Sequence, residues 1–158
     1  MTIKVGDRIP SATLEYMSAD GPVKISSDEL FAGKRVAAFA VPGAFTPTCS
    51  QEHLPGYVRR ADDIKAKGVD LIVCLSVNDV FVMDAWGKDQ NAGDKVMMVA
   101  DGGAEFARAV GIVVSYLGFG ERSDRYSMVV EDGVVKTLHI EAEDAFEVSD
   151  ADTMVGEL

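Results

Sequence analysis

The sequence predicts an α/β protein, a sandwich in which a mixed central sheet lies between helical layers. Three observations carry that reading. The continuous apolar runs 35–41, 69–77 and 95–100 have the character of strands buried on both faces. Between them lie segments with helix start and stop residues, giving the strand–helix–strand alternation of parallel units. Segments 126–131 and 134–140 then follow, joined by Asp132-Gly133, a pair suited to a type I′ hairpin that adds antiparallel strands.

Taken in order, 12–16 and 23–25 read as strands on either side of the turn Ala19-Asp20-Gly21-Pro22. Ser26-Ser27-Asp28-Glu29 offers an N-cap for a short helix that stops near Gly33. Strand 35–41 ends at Pro42. After the loop 42–47, residues 48–67 read as a helix with Gly68 as its stop. Asn78-Asp79 caps another helix reaching about Lys88, 105–110 is a short helix before Gly111, and 149–158 is a final acidic helix. The helix opening at Asn78 carries Val80, Phe81, Met83 and Trp86 around most of its circumference. That pattern fits either deep burial or contact with a second subunit. Tyr116-Leu117-Gly118-Phe119-Gly120 reads as an apolar loop, and an apolar loop is expected to be covered. No segment resembles a linker or a repeat, so residues 1–158 read as one domain.

Charge narrows the function classes. Fifteen Lys and Arg against 26 Asp and Glu give a net charge of −11, and the last eighteen residues hold seven of the acids and no base. Such a surface repels phosphate backbones, which argues against nucleic acid and anionic membranes as partners. No apolar run approaches the roughly 20 residues needed to span a bilayer. The opening Met1-Thr2-Ile3-Lys4-Val5-Gly6-Asp7 has no apolar targeting core, so a cytoplasmic location is expected. Two cysteines are too few for a disulfide framework, and free thiols are expected.

Cys49 is the residue that stands out. It ends the loop Pro42-Gly43-Ala44-Phe45-Thr46-Pro47-Thr48, between a buried strand and a helix, at the strand ends where α/β folds bind ligands. In the first turn of a helix it faces unpaired N–H groups and the positive end of the dipole, which favour the nucleophilic thiolate. A helix terminus alone supplies only about 0.3–2 kcal/mol. A further cation is therefore required, and Arg125, at the start of a strand, is a candidate. His53 lies four residues on, on the same helical face, and reads as structural or solvent-exposed rather than as a proton-transfer base. His139 also reads as structural, and Cys49, Glu52 and His53 make a weak metal-ligand set.

The string Val41 to Ser50, followed by His53-Leu54-Pro55-Gly56, resembles the active-site region of type II peroxiredoxins, thiol peroxidases of thioredoxin-like fold. Ser76-Val77-Asn78-Asp79 and Arg125-Tyr126-Ser127-Met128 extend the likeness over nearly the whole chain. The resemblance implies that Cys49 attacks one peroxide oxygen and becomes a sulfenic acid, with no cofactor. It implies that Thr46 and Arg125 hold the peroxide and that Pro42 shields the thiolate. Read without the resemblance, Thr46 is equally a helix cap, Arg125 a surface charge and Pro42 a strand terminator. Hydrogen peroxide and alkyl hydroperoxides are the implied substrates.

Cys74, in the run Leu71-Ile72-Val73-Cys74-Leu75, reads as a core residue, but type II relatives often carry a second cysteine about here. A strand ending near Val77 would leave Cys74 about 10 Å below the edge, whereas a disulfide needs Cα atoms within about 7 Å. Resolution by an external thiol is therefore expected, and the resemblance implies glutathione with glutaredoxin. Thioredoxin acting on a Cys49–Cys74 disulfide is the alternative. A homodimer is also expected, with Phe45, Phe81 and Trp86 near its contact. Two other readings compete: a thiol–disulfide oxidoreductase, weakened because Thr46 stands where Cys-x-x-Cys would need a second thiol, and a non-catalytic interaction module.

Overall fold

The computed structural model describes residues 1–158. The chain opens with the hairpin β1 (Thr13–Ser18) and β2 (Gly21–Ser26). Pro22 lies on β2, the edge of the sheet, where its missing N–H breaks no ladder bond. The Ser26 hydroxyl accepts from Glu29 N–H and starts α1 (Ser27–Phe31) as its residues predict. Next come β3 (Arg35–Val41) and a helix whose middle is a single π-turn, Cys49–His53, leading into α2 (Leu54–Ala66). β4 (Leu71–Ser76), α3 (Val80–Asp89), β5 (Met97–Ala100) and α4 (Glu105–Val110) complete the parallel part. A small separate ladder, β6 (Val113–Tyr116) with β7 (Gly120–Ser123), precedes β8 (Tyr126–Glu131), β9 (Val134–Ile140) and α5 (Ala151–Glu157).

The seven-stranded sheet runs β2-β1-β5-β4-β3-β8-β9, with β3, β4 and β5 parallel, β1 antiparallel to β5, and β8 antiparallel to both β3 and β9. Strand alternation divides the core in two. Ala37, Phe39 and Val41 of β3 and Cys74 of β4 face the layer of α2, α3 and α5. Val36, Ala38 and Ala40 face the layer of α1 and α4, where Phe31 stacks on Phe106 at 6.3 Å. The β8–β9 turn has Asp132 and Gly133 at φ +46° and +79°, the two positive values a type I′ turn requires.

Two details depart from the sequence reading. The segment around Tyr116–Gly120 is the tip of a hairpin, and Leu117 is fully exposed on it, with no cover from its own chain. The helix α3 buries Val80, Met83 and Trp86 but leaves Phe81 65% exposed, so one face remains unpartnered. Trp86 itself has no exposed surface and donates from Nε1 to the Ser50 hydroxyl at 2.9 Å. Within its own chain it is a core residue, with the half-exposed Phe45 ring 6.5 Å away.

Candidate active site

Where β3 leaves the sheet, Pro42 and Gly43 turn the chain across the end of β4. The loop is pinned there by Asn78, whose Oδ1 accepts from Ala44 N–H at 2.9 Å and from the Ser76 hydroxyl at 2.5 Å. Asp79, not Asn78, is the N-cap of α3. Phe45 sits at φ +64°, a left-handed conformation that bulky residues avoid, and its half-exposed ring lies 6.5 Å from that of Trp86. Strain of this kind is tolerated where the surroundings over-determine the loop. The Thr46 hydroxyl donates to the Gly43 carbonyl at 2.6 Å. Its hydrogen is thereby committed and its lone pairs are left to accept.

Cys49 opens the π-turn, whose defining bond runs from Leu54 N–H to the Cys49 carbonyl. Pro55, which brings no N–H to the helix ladder, follows directly and weakens the ordinary α pattern at this point. Single π-turns within helices recur at functional sites. The Cys49 side chain is wholly buried.

Arg125, the residue before β8, is also buried and reaches Cys49 from the neighbouring strand. Its Nη2 donates to Cys49 Sγ at 3.2 Å, and its Nη1 donates to His53 Nδ1 at 2.8 Å. No carboxylate forms an ion pair with it. The side-chain partners of the guanidinium are the Cys49 sulfur and the His53 ring.

The protonation of His53 follows from its neighbours. A guanidinium can only donate, so Nδ1 must accept, and the hydrogen sits on Nε2, which donates to the Ser149 carbonyl at 3.0 Å. Burial first, and then the Arg125 charge, lower the His53 pKa to about 3. The ring is a neutral brace for Arg125. Neither nitrogen is free to accept a substrate proton or to hold a metal ion.

A cleft of about 290 Å³ opens above this group, ending on Pro42, Thr48 and Arg125. Its walls include Glu52, Asp124 and Asp144, so an entering molecule passes an acidic rim. Cys49 does not itself line the cleft; it follows Thr48 in the chain and is bonded to Arg125, both of which do.

Cys74 lies on β4 between Phe39 of β3 and Met98 of β5, fully buried. Burial first, and then the nearby Cys49 charge, push its thiol well above the ordinary range. Because β4 ends at Ser76, Cys74 is two residues below the strand end rather than three. Both thiols are free.

The structure thus joins Cys49 to Arg125 and places Pro42 at the same cleft. It gives the Thr46 hydroxyl a bond to Gly43 and none to the sulfur. Sequence reasoning missed the bracing of Arg125 by His53, Ser149 and Phe146. The i, i+4 spacing of Cys49 and His53 was the one available signal. His139 bonds Glu157 of α5 through Nε2, a structural contact.

The chain matches the Redoxin family model over residues 4–155. Chloroplastic peroxiredoxin-2E of Arabidopsis thaliana is 47% identical over 98% of this chain and 68% of its own length. Peroxiredoxin-2B of the same plant is 42% identical over 97% of this chain and 96% of its own. Among solved structures, reduced Prx3 of Vibrio vulnificus in complex with hydrogen peroxide is 52% identical, with a TM-score of 0.97 over 99% of each chain.

Proposed function

The chain belongs to the Redoxin family and is a type II peroxiredoxin, a thiol-dependent peroxidase, and on that premise we propose that Cys49 is the peroxidatic nucleophile, served by Arg125, Thr46 and Pro42. One observation carries the assignment: a buried guanidinium without a carboxylate partner donates to Cys49 Sγ at 3.2 Å. That donor is aimed at the atom that carries negative charge when the nucleophile attacks.

In the reaction, the Cys49 thiolate attacks one oxygen of the peroxide, an S–O bond forms, and the O–O bond breaks with its electron pair leaving on the distal oxygen. The products are the Cys49 sulfenic acid and a hydroxide or alkoxide, which takes a proton and departs as water or alcohol. Peroxide is nearly neutral until that bond breaks, so a cation fixed beside the sulfur acts chiefly on the transition state. Arg125 supplies that charge. Thr46, its hydrogen held by Gly43, presents a lone pair that accepts from the peroxide O–H. Pro42, at the cleft end, keeps water away from the sulfur. Peroxide consumption in the presence of a thiol reductant, compared between wild type and Cys49→Ser, tests the assignment. Loss of turnover in the variant is expected, and unchanged turnover overturns it.

The sulfenic acid is returned by an external thiol, glutathione with glutaredoxin. The full burial of Cys74 and its raised thiol pKa support this over a Cys49–Cys74 disulfide reduced by thioredoxin. Non-reducing peptide mapping of peroxide-treated protein separates the two, and a stoichiometric Cys49–Cys74 link refutes the external route. The protein acts as a homodimer, a reading supported by half-exposed Phe45, exposed Phe81 and the bare Leu117 and Phe119. A monomer by light scattering at low micromolar concentration overturns that part. The proposal keeps a cytoplasmic location, in line with two unpaired thiols; recovery of the native protein in another cell fraction contradicts it.

A further inference from the structure

Arg125 and His53 are braced from behind by residues 146–149, an irregular segment between β9 and α5. The Ser149 carbonyl accepts from His53 Nε2 at 3.0 Å and from the Tyr57 hydroxyl at 2.8 Å. The Phe146 ring lies 4.9 Å from the His53 ring and 5.7 Å from the Arg125 guanidinium carbon. An acidic, irregular segment has little intrinsic reason to hold that shape.

What holds it is one carboxylate. Glu141, buried at the end of β9, accepts from Glu147 N–H at 2.9 and 3.0 Å on its two oxygens. One of those oxygens also takes Val148 N–H at 2.9 Å, Ser149 N–H at 2.8 Å and the Ser149 hydroxyl at 2.6 Å. Three successive backbone donors converge on it, the arrangement of an anion nest. Burial alone would raise the Glu141 pKa, but the Ser149 hydroxyl and these N–H groups outweigh it and hold the carboxyl below its usual range. The Glu141 N–H meanwhile donates to the Arg125 carbonyl at 3.0 Å. Glu141 is therefore tied by its backbone to the catalytic arginine and by its side chain to the segment that orients that arginine's partner.

We propose that Glu141 is a positioning residue for the peroxidase reaction: its carboxylate gathers residues 147–149 so that the Ser149 carbonyl keeps His53 as the Nε2–H tautomer, and His53 Nδ1 holds the Arg125 guanidinium on Cys49. This rests on the reading of Cys49 and Arg125 as the reacting pair. If the Ser149 carbonyl drifts, Nε2–H loses its acceptor and the Nδ1–H tautomer becomes competitive. That hydrogen then points at the Arg125 N–H, and two donors facing each other drive the guanidinium off the sulfur.

The test is Glu141→Gln, which keeps the side-chain shape, removes the charge and sets an amide NH₂ among the donors. Three quantities are read. They are the second-order rate constant with hydrogen peroxide, the His53 tautomer from long-range ¹H–¹⁵N correlation, and the rate constant of the double variant with His53→Gln. A loss of about tenfold is expected in the single variant, with a mixed tautomer signal. The double variant is expected to be no slower than the slower single variant, because both act through one path. A folded Glu141→Gln protein with the wild-type tautomer and rate overturns the proposal, as do losses that multiply in the double variant. If Glu141→Gln does not fold, Ser149→Ala removes one donor and keeps the carbonyl. Partial tautomer mixing with a smaller rate loss supports the proposal, and an unchanged tautomer overturns it. A wild-type protein without Cys49-dependent peroxide reduction refutes the peroxidase reading instead, and the tautomer comparison still judges the Glu141 brace.

Discussion

Removing the guanidinium from residue 125 is the most informative single change. In Arg125→Ala the Sγ atom loses a charge-assisted hydrogen bond of 3.2 Å, and His53 Nδ1 loses its donor. A hydrogen bond to a charged group contributes about 1.5–3 kcal/mol. That alone is worth about 10- to 150-fold in rate. In the proposed reaction the same guanidinium also faces the oxygen that leaves, and deleting one such donor costs about 10²–10³ in rate. The two effects overlap, so the expected fall in the second-order rate constant is about 10³-fold. Arg125→Lys should fall between, because one ammonium reaches either Cys49 or His53 but cannot span both as the fork does. Stopped-flow mixing with hydrogen peroxide measures the rates, and alkylation of Cys49 against pH measures the thiolate separately. His53 gives a further check: with Arg125 gone its pKa should climb from about 3 toward, but not past, 6.5, because burial still acts. A rate constant within threefold of wild type in Arg125→Ala would refute the reasoning.

Other expectations concern the surroundings of the pair. Because Glu52, Asp124 and Asp144 line the cleft, an anionic organic hydroperoxide should react more slowly than a neutral one of similar size. Its rate should rise with added salt while the neutral peroxide's stays flat, and a fall with salt for the anionic peroxide contradicts this. His53 binds a proton near pH 6.5 when unfolded but only near pH 3 when folded, so the unfolded chain carries more protons between those values. Stability should therefore rise with pH through that window. His53→Gln should flatten the slope in denaturant titrations at pH 4, 5.5 and 7, and an unchanged slope excludes the histidine as its source. Phe39, fully buried and stacked on Tyr57 at 3.9 Å, should cost about 3–5 kcal/mol when replaced by alanine. A loss below about 1 kcal/mol by chemical unfolding contradicts that packing.

Much of the fold is legible in the residues because local and global signals agree. The apolar strand 35–41, the short helix 105–110 and the Asp132-Gly133 hairpin carry period, length and turn chemistry that point one way, and they fall where read. Segment 113–123 does not: its strands are four residues each, and half-exposed alternation around Leu117 looks like a loop. The π-turn at Cys49 is invisible to a pattern of period 3.6, although Pro55 marks where the ladder is short of a donor. Pro42 and Arg125 are readable because each sits at a strand end, and Cys49 because it lies in the first turns of the helix that follows one. Glu141 and Ser149 are not, because their roles depend on bonds to residues 6 to 96 positions away. Trp86 is ambiguous for a related reason: a large apolar side chain on a helix looks the same in sequence whether its neighbour is Ser50 or another subunit.

If Cys49 is the reacting sulfur, peroxide oxygen is transferred to it and to no other sulfur. Reduced protein treated with one equivalent of hydrogen peroxide, together with a 1,3-dicarbonyl reagent that traps sulfenic acids, answers this by peptide mass spectrometry. One adduct per chain on the Cys49 peptide, none on the Cys74 peptide and none in Cys49→Ser is the predicted result. Peroxide consumed with the adduct on Cys74, or with no oxidised Cys49, contradicts it.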